Sequence, residues 1–105
     1  MATIDPNEVR FSQASISYTF ADGTSIDDLA ERLRTGAVSG DEVLPIRLCE
    51  RNGVFFTLDN RRLEAFRRAH IAVPYRMATV DEIETEAWKF TTRDGGIAVR
   101  VRRER

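Results

Sequence analysis

The middle of the chain constrains the fold more than any other part. Two β-type runs, residues 45–50 and 54–58, flank the dipeptide Asn52-Gly53. Asn-Gly between such runs is the strongest short signal for a β-hairpin, because both residues tolerate the positive φ angles of a two-residue turn. A helical pattern follows at once over residues 60–70. We therefore expect a hairpin whose second strand leads directly into a helix.

A partly extended segment and a helix precede this hairpin. Residues 9–20 contain two alternating stretches, which predict extended structure in at least part. Ser25 and Asp28 have the spacing of a capping box and so open a helix, which Gly36 is expected to end. The apolar residues of this helix recur at helical spacing and form one stripe: Ile26, Leu29, Ala30 and Leu33.

The C-terminal third predicts further strands and another helix. Residues 73–77 have the pattern of a short strand. Thr79 and Glu82 form a capping box for a helix that extends to about Trp88, and this tryptophan is expected in the core. A turn at residues 93–96 is expected to separate two strand-like segments, the first of them at 90–92 and the second at 97–101.

These elements together predict an α+β fold, a small mixed β-sheet with about three helices. The chain of 105 residues is long enough for one domain. We expect an N-terminal tail at residues 1–8, a single domain over 9–101 and a charged C-terminal tail at 102–105. Apolar residues make up 42% and charged residues 31%, a globular composition rather than a disordered one.

Composition also limits the compartment and the metal chemistry. No apolar run is long enough to span a bilayer, and the first residues lack the basic and hydrophobic regions of a signal peptide. We therefore expect no membrane partner and a cytoplasmic site of action, for a whole protein or for a fragment of a larger secreted one. A single cysteine, Cys49, and a single histidine, His70, exclude a disulfide framework and the usual structural zinc sets. Cys49 is expected as a small buried hydrophobe in a strand.

The net charge of −1 hides an asymmetry along the chain. Residues 1–45 carry a net charge of −5, and residues 46–105 carry +4. Fifteen of the sixteen basic residues are arginine, whose planar fork suits phosphate and carboxylate groups. A codon-usage bias would also explain the choice of arginine, but it does not explain where the bases lie.

The start of the central helix, Asp59-Asn60-Arg61-Arg62, is the leading candidate site. The first N–H groups of a helix have no partner within it and carry the positive end of its dipole, so they favour an anion. Arg61 and Arg62 disfavour this helix end unless an anion or a carboxylate meets them. We expect both to bind phosphate, and their truncation to leave stability unchanged or raised. The alternative is a capped helix whose arginines pair with surface acids.

Several other residues are candidates for the same ligand or for catalysis. The candidate phosphate ligands besides Arg61 and Arg62 are Ser12, Gln13, Asn60, Arg68, Lys89, Thr91 and Thr92, and the candidate catalytic residues are Asp59, Asn60 and His70. Most have a structural alternative. Arg68 forms a favourable helical pair with Glu64, Lys89 suits the end of a helix dipole, the two threonines fit a strand, and His70 fits a packed cap.

The central motif resembles a known superfamily. The segment from Pro45 to Arg76, above all Leu58-Asp59-Asn60-Arg61-Arg62-Leu63, resembles the ParB/sulfiredoxin core, in which a strand leads into a helix through a motif ending in arginine. Two further motifs, Phe11-Ser12-Gln13-Ala14-Ser15-Ile16 and Lys89-Phe90-Thr91-Thr92, are similar to ParB-like C-terminal toxin domains of bacterial polymorphic secreted toxins. The resemblance covers roughly residues 9–101. The resemblance implies a ParB/sulfiredoxin-like fold in which Arg61 and Arg62 hold nucleotide phosphates.

The chain also departs from the superfamily pattern. Asn60 stands where sulfiredoxin has its reactive cysteine, which excludes sulfinic-acid reduction. Asp59 and Asn60 replace the glycine and glutamate that open the ParB motif, and no DNA-binding helix-turn-helix follows. The resemblance implies a toxin-type effector that acts on nucleic acid or nucleotide, with nuclease as the leading activity and a divalent metal left open. The alternatives are a non-catalytic nucleotide-binding module and an interaction domain for an acidic, immunity-type protein.

Overall fold

The structure, a computed structural model that describes residues 2–103, contains seven strands and three α-helices. The strands are β1 (Thr3–Ile4), β2 (Val9–Phe11), β3 (Ser15–Ser17), β4 (Ile46–Arg51), β5 (Val54–Thr57), β6 (Val73–Met77) and β7 (Arg100–Arg102). The helices are α1 (Ile26–Thr35), α2 (Asn60–Ala69) and α3 (Val80–Thr85). Short 3₁₀ turns occur at Pro6–Glu8, Gly40–Glu42 and Ala87–Lys89.

The strands form a mixed five-stranded sheet and a separate two-stranded one. The large sheet has the order β1-β6-β4-β5-β2. β4 and β5 are antiparallel, as are β1 and β6, whereas β2 is parallel to β5 and β6 is parallel to β4. β3 and β7 pair in parallel as the small sheet. The predicted α+β class, with a small mixed sheet and three helices, is confirmed.

Local signals in the sequence account for the central hairpin and for the helix ends. Asn52 and Gly53 adopt φ angles of 54° and 79°, as the two-residue turn between β4 and β5 requires. The capping box at Ser25 opens α1, and Gly36, with a φ of 82°, ends it. α2 runs to Ala69 and ends at His70 in the left-handed conformation.

The core lies between α2, α1 and the inner face of the large sheet. Its main cluster joins residues of β2, β4, α1, α2 and β6: Val9, Phe11, Leu33, Ile46, Leu48, Leu63, Phe66, Ala69 and Val73. A second cluster, formed by Ile16, Ile26 and Ala65, lies under the small sheet. Both clusters include residues of α2, so this helix is held firmly and its first turn has a fixed position.

The N-terminal segment is more ordered than the sequence predicts. Residues 1–8 are expected as a tail, yet Thr3–Ile4 pairs with β6, and Pro6 is buried. Residue 1 lies outside the described residues. The pairing partners in β6 follow more than sixty residues later in the chain, so no local pattern signals this strand.

The C-terminal third also differs from the prediction. α3 ends at Thr85 and a 3₁₀ turn follows it, and Trp88 is 67% exposed rather than in the core. Residues 90–92 form no strand. The last strand pairs with β3 instead, and it includes Arg102, which was expected in the tail. Residues 104–105 of that tail lie outside the described residues. None of the helices within residues 2–103 has the length and apolar character needed to cross a membrane.

Candidate functional site

The first turn of α2 lacks the side-chain cap that the other two helices have. Ser25 and Thr79 each accept a hydrogen bond from the N–H three residues on, at the starts of α1 and α3. Asp59 occupies the same position before α2, but its carboxylate points away from the helix and makes no such bond. No side chain within residues 2–103 accepts from the N–H groups of residues 60–62, which therefore remain available to an anion.

The Asp59 carboxylate is instead the acceptor for two arginines. Its Oδ2 accepts from the backbone N–H of Arg47 at 2.8 Å and from the Arg47 Nε at 3.0 Å. Its Oδ1 lies 2.8 Å from the guanidinium groups of both Arg47 and Arg62. The Asp59 side chain is only 8% exposed. Asp59 thus anchors β4 and the first turn of α2 to each other.

Asn60 fixes the segment that follows β2. Its side chain is buried, and Oδ1 accepts from the backbone N–H of Ser12 at 2.9 Å. The amide nitrogen donates to the Ser12 hydroxyl at 2.9 Å and to Gln13 Oε1 at 3.2 Å. Ser12 is fully buried and donates to the Thr57 carbonyl oxygen at 2.7 Å. The side chains of Asn60 and Ser12 are therefore committed to the fold, whereas Gln13 reaches the surface.

Arg61 and Arg62 differ in their partners. Arg62 pairs with Asp59 and also donates to the Leu44 carbonyl oxygen at 2.8 Å. Arg61 donates to the Thr19 carbonyl oxygen at 2.7 Å, and its guanidinium carbon lies 5.6 Å from the centre of the Phe20 ring. No carboxylate of residues 2–103 forms an ion pair with Arg61. The predicted alternative, an arginine paired with an acid, therefore holds for Arg62 and not for Arg61.

A surface pocket of about 370 Å³ opens at the start of α2. Its walls come from the segment after β2, the small sheet, the first turn of α2 and the turn after α3. They comprise Gln13, Ile16, Ser17, Phe20, Asp59, Asn60, Arg61, Arg62, Trp88, Lys89 and Arg102. Four basic residues and a single acidic one therefore line the pocket at the uncapped start of α2. Arg62 and Lys89 pair with acids, whereas Arg61 and Arg102 have no carboxylate partner within residues 2–103 and so favour an anionic ligand.

Five pocket residues have no counterpart among the predicted site residues: Ile16, Ser17, Phe20, Trp88 and Arg102. Trp88 is largely exposed, whereas Phe11 and Phe66 are fully buried. Lys89 was predicted, and its Nζ lies 5.8 Å from the Trp88 ring centre and 2.8 Å from the Leu58 carbonyl oxygen. The alternation of the last strand, in which Arg100 and Arg102 share a face, was the available sequence signal for Arg102.

An ion network lies behind the pocket wall. Arg47 is its centre and pairs with Asp59, Glu82 and Glu86, while Lys89 pairs with Glu86 at 2.5 Å. The hydrogen bond with Asp59 raises the pKa of Arg47, although burial opposes this. Burial alone would raise the pKa of Asp59, but the hydrogen bond from Arg47 and the charge of Arg62 outweigh it and lower that pKa. Asp59 is therefore ionised across the physiological range.

Five predicted site residues lie away from the pocket wall, and one of them is the fully buried Ser12. Arg68 pairs with Asp27 and, at 2.9 Å, with Glu64. His70 is exposed at the far end of α2, about 15 Å from Asn60 for ten residues of helix. The hydroxyls of the other two residues hold loops in place: Thr91 accepts from the N–H of Ala14, and Thr92 bonds with Asp94 and Gly96. The structure thus brings together Gln13, Asp59, Asn60, Arg61, Arg62 and Lys89.

Comparisons with known proteins leave the family of this chain open. No protein-family model matches it, and no curated protein or solved structure is detectably similar to it. The resemblance to the ParB/sulfiredoxin superfamily and to its toxin branch therefore stays a prediction. Within residues 2–103, no group of three or more histidine, cysteine, aspartate or glutamate side chains is arranged to hold a metal ion.

Proposed function

We propose that the pocket at the start of α2 binds a phosphate-bearing ligand of the nucleotide class. The observation that carries this proposal is the meeting of an uncapped helix start, an arginine without a carboxylate partner and an exposed tryptophan in one pocket. Backbone N–H groups at a helix start and a guanidinium fork are the donors that phosphate groups favour. Arg61 and the N–H groups of residues 60–62 would hold the phosphate.

The aromatic residues of the pocket support a nucleotide over a simple anion. Trp88 is 67% exposed, so most of its ring is open to solvent. Base stacking on an aromatic side chain contributes about 1–3 kcal/mol, and it is available to every base because each has a π face. The base would therefore lie against Trp88 while its phosphate meets Arg61.

We propose that the primary role of the pocket is ligand binding. Nuclease activity is a second, further proposal that would depend on the same binding. Asp59 is held by two arginines, Asn60 is buried among its partners and His70 lies at the opposite end of α2. These positions favour roles for Asp59 and Asn60 in shaping the pocket. A nuclease effector would use the same pocket, and it would be toxic when expressed. Its toxicity would disappear in an Arg61→Ala variant that still folds.

Titration of adenosine triphosphate while recording backbone amide shifts tests the proposal. We expect the largest shifts at residues 60–62, 88–89 and 102, and smaller ones with inorganic phosphate, which cannot stack on Trp88. Arg61→Ala should lower the affinity for both ligands at least tenfold, a loss of about 1.4 kcal/mol. Trp88→Ala should lower only the affinity for the nucleotide. Shifts that cluster on another surface would contradict the proposal.

Arg34→Ala is the matched control for the loss of one positive charge. Arg34 is exposed on α1 and pairs with Glu31, so its removal should leave both affinities unchanged. The stability of each variant needs a parallel melt. Arg61→Ala removes a hydrogen bond to the Thr19 carbonyl oxygen and should cost about 1 kcal/mol, a small loss that leaves the protein folded. An affinity loss that merely tracks unfolding would make Arg61 a structural residue.

A further inference from the structure

The small sheet β3–β7 presents a basic, hydroxyl-rich outer face. Ser15 pairs with Arg100 and Ser17 with Arg102, while Ile16 pairs with Val101 between them. Because successive side chains of a strand point to opposite faces, Ile16 and Val101 pack inward in the second core cluster. The two serines and the two arginines therefore share the outer face.

The arginines of this face have no acidic partners within residues 2–103. Arg102 donates to the Ser15 hydroxyl at 2.9 Å, and neither Arg100 nor Arg102 forms an ion pair with a described carboxylate. Seven other basic residues do pair with acids: Arg34, Arg47, Arg62, Arg68, Arg76, Lys89 and Arg103. Cations left without acids attract an external anion more strongly than paired ones do.

The outer face is continuous with the pocket. Arg102 and Ser17 belong to the pocket wall, and Arg100 lies two residues further along β7, outside that wall. Two residues of a strand span about 7 Å. A mononucleotide seated in the pocket would meet Arg61 and Arg102, whereas a second phosphate on the same chain could reach Arg100.

We propose that the ligand is a single-stranded nucleic acid that runs from the pocket across the outer face of β3–β7. This inference rests on the proposed phosphate-binding function. A positive track along which phosphates lie, together with an aromatic platform for a base, is the combination that binds single strands without sequence preference. Serine hydroxyls add donors to phosphate oxygens. A single strand fits better than a duplex because a base is free to leave its neighbours and lie on Trp88.

The test compares one nucleotide with a chain of the same nucleotide. Thymidine monophosphate and a short oligothymidylate are titrated into the wild-type protein, Arg100→Ala and the charge-matched control Arg34→Ala. Arg100→Ala should weaken oligothymidylate binding at least about threefold, and it should lower the slope of log affinity against log salt by about 0.7, the value for one phosphate contact on a single strand. Its affinity for the monophosphate should stay at the wild-type level because Arg100 lies outside the pocket.

The outcomes separate this proposal from the one on which it rests. Equal affinities of the wild-type protein for monophosphate and oligothymidylate, with no effect of Arg100→Ala, would overturn the single-strand proposal while leaving nucleotide binding intact. The same weakening in Arg34→Ala as in Arg100→Ala would also overturn it, because the effect would then be one of net charge. Failure of both ligands to bind, with Arg61→Ala identical to the wild-type protein, would overturn both proposals.

Discussion

Asp59 occupies a helix-cap position but acts as the acceptor of an ion pair. It stands at the cap position of α2, but its buried carboxylate binds Arg47 and Arg62 instead of the helix N–H groups. The charge of Arg62 at an unfavourable helix end is thereby compensated within the protein. The residues whose N–H groups Asp59 leaves uncapped, 60–62, line the pocket. One side chain thus stabilises the fold and keeps the proposed anion site open.

Arg61 and Arg62, whose removal is predicted from the sequence to leave stability unchanged or raised, therefore differ in their expected effect on stability. Arg62→Ala would leave a buried carboxylate with one fewer partner, whereas Arg61→Ala loses a single bond to a carbonyl oxygen. We expect the larger loss of stability from Arg62, since breaking a buried ion pair costs more than losing one neutral acceptor. Arg61 is thus the residue whose change reports on binding with the smaller loss of stability.

Replacement of Asp59 by asparagine should reduce stability, and the effect should depend on pH. Asparagine keeps one acceptor oxygen but removes the buried negative charge that Arg47 and Arg62 share, which should cost about 3 kcal/mol at neutral pH. The pKa of Asp59 is lower in the folded state than its ordinary value. Its stabilisation is therefore complete above the unfolded pKa of about 4 and is lost as the pH falls through the folded pKa.

Urea denaturation of the wild-type protein and Asp59→Asn across this range measures the effect. The difference in unfolding free energy should be large at neutral pH and should shrink in acid below about pH 4. Glu31→Gln is the control, because its exposed pair with Arg34 contributes little. A difference for Asp59→Asn that does not change with pH would show that the carboxylate charge is not the source of the stability.

At the scale of elements, a glycine loop holds the edge of the large sheet. The carbonyl oxygen of Gly96 accepts from the Phe11 N–H of β2 at 2.9 Å, and the Arg10 guanidinium donates to the Gly95 carbonyl oxygen at 3.0 Å. Gly96 has a φ of 78°, and a Cβ at this position would overlap the Phe11 carbonyl oxygen and lie 2.9 Å from the Phe11 nitrogen. Only glycine permits this close approach of two backbones.

Gly96→Ala should therefore lower the free energy of unfolding by more than the strain of a positive φ angle alone would. Strain at a positive φ contributes about 1–3 kcal/mol, and separating the loop from β2 adds to it. Gly36→Ala is the matched control, because Gly36 has a φ of 82° but no other group lies within 4 Å of the position that a Cβ would occupy there. Thermal melts should place Gly96→Ala clearly below Gly36→Ala. Equal melting temperatures for the two variants would mean that the loop does not need to approach β2.

At the scale of the whole molecule, the two ends of the chain complete the two sheets. β1 covers the edge of β6, and the Tyr75 N–H donates to the Ala2 carbonyl oxygen at 3.1 Å. The Arg67 Nε donates to the Pro6 carbonyl oxygen at 3.1 Å. β7 reaches back in the same way to pair with β3. Edge strands of this kind protect the backbone groups of their neighbours.

Deletion of residues 2–8 should consequently lower stability, although the sequence predicts a tail at residues 1–8. The loss of the β1 pairing and of the bonds to residues 2 and 6 should cost about 2–3 kcal/mol, at about 1 kcal/mol for each hydrogen bond. Chemical denaturation of the shortened chain measures this. Asn7→Ala, at an exposed position in the same segment, should have no effect. A shortened chain as stable as the full one would restore the tail prediction.

The sequence alone determined the elements whose signals are local. The Asn52-Gly53 turn, the capping boxes at Ser25 and Thr79, and the glycine stop of α1 all act over four residues or fewer. Cys49, predicted as a small buried hydrophobe, is buried. The sequence also singled out the start of α2 as a candidate anion site, because the chemistry of a helix end follows from the residues that form it.

Tertiary structure alone decided how that site is built. Whether Asp59 would cap α2 or turn to Arg47 depended on a side chain twelve residues away, and the burial of Asn60 depended on Ser12, forty-eight residues away. The exposure of Trp88 depended on where α3 ends. Such contacts form only when distant segments meet, and the free energy of burial and of paired charges then overrides local preference. No pattern within a few residues can encode them.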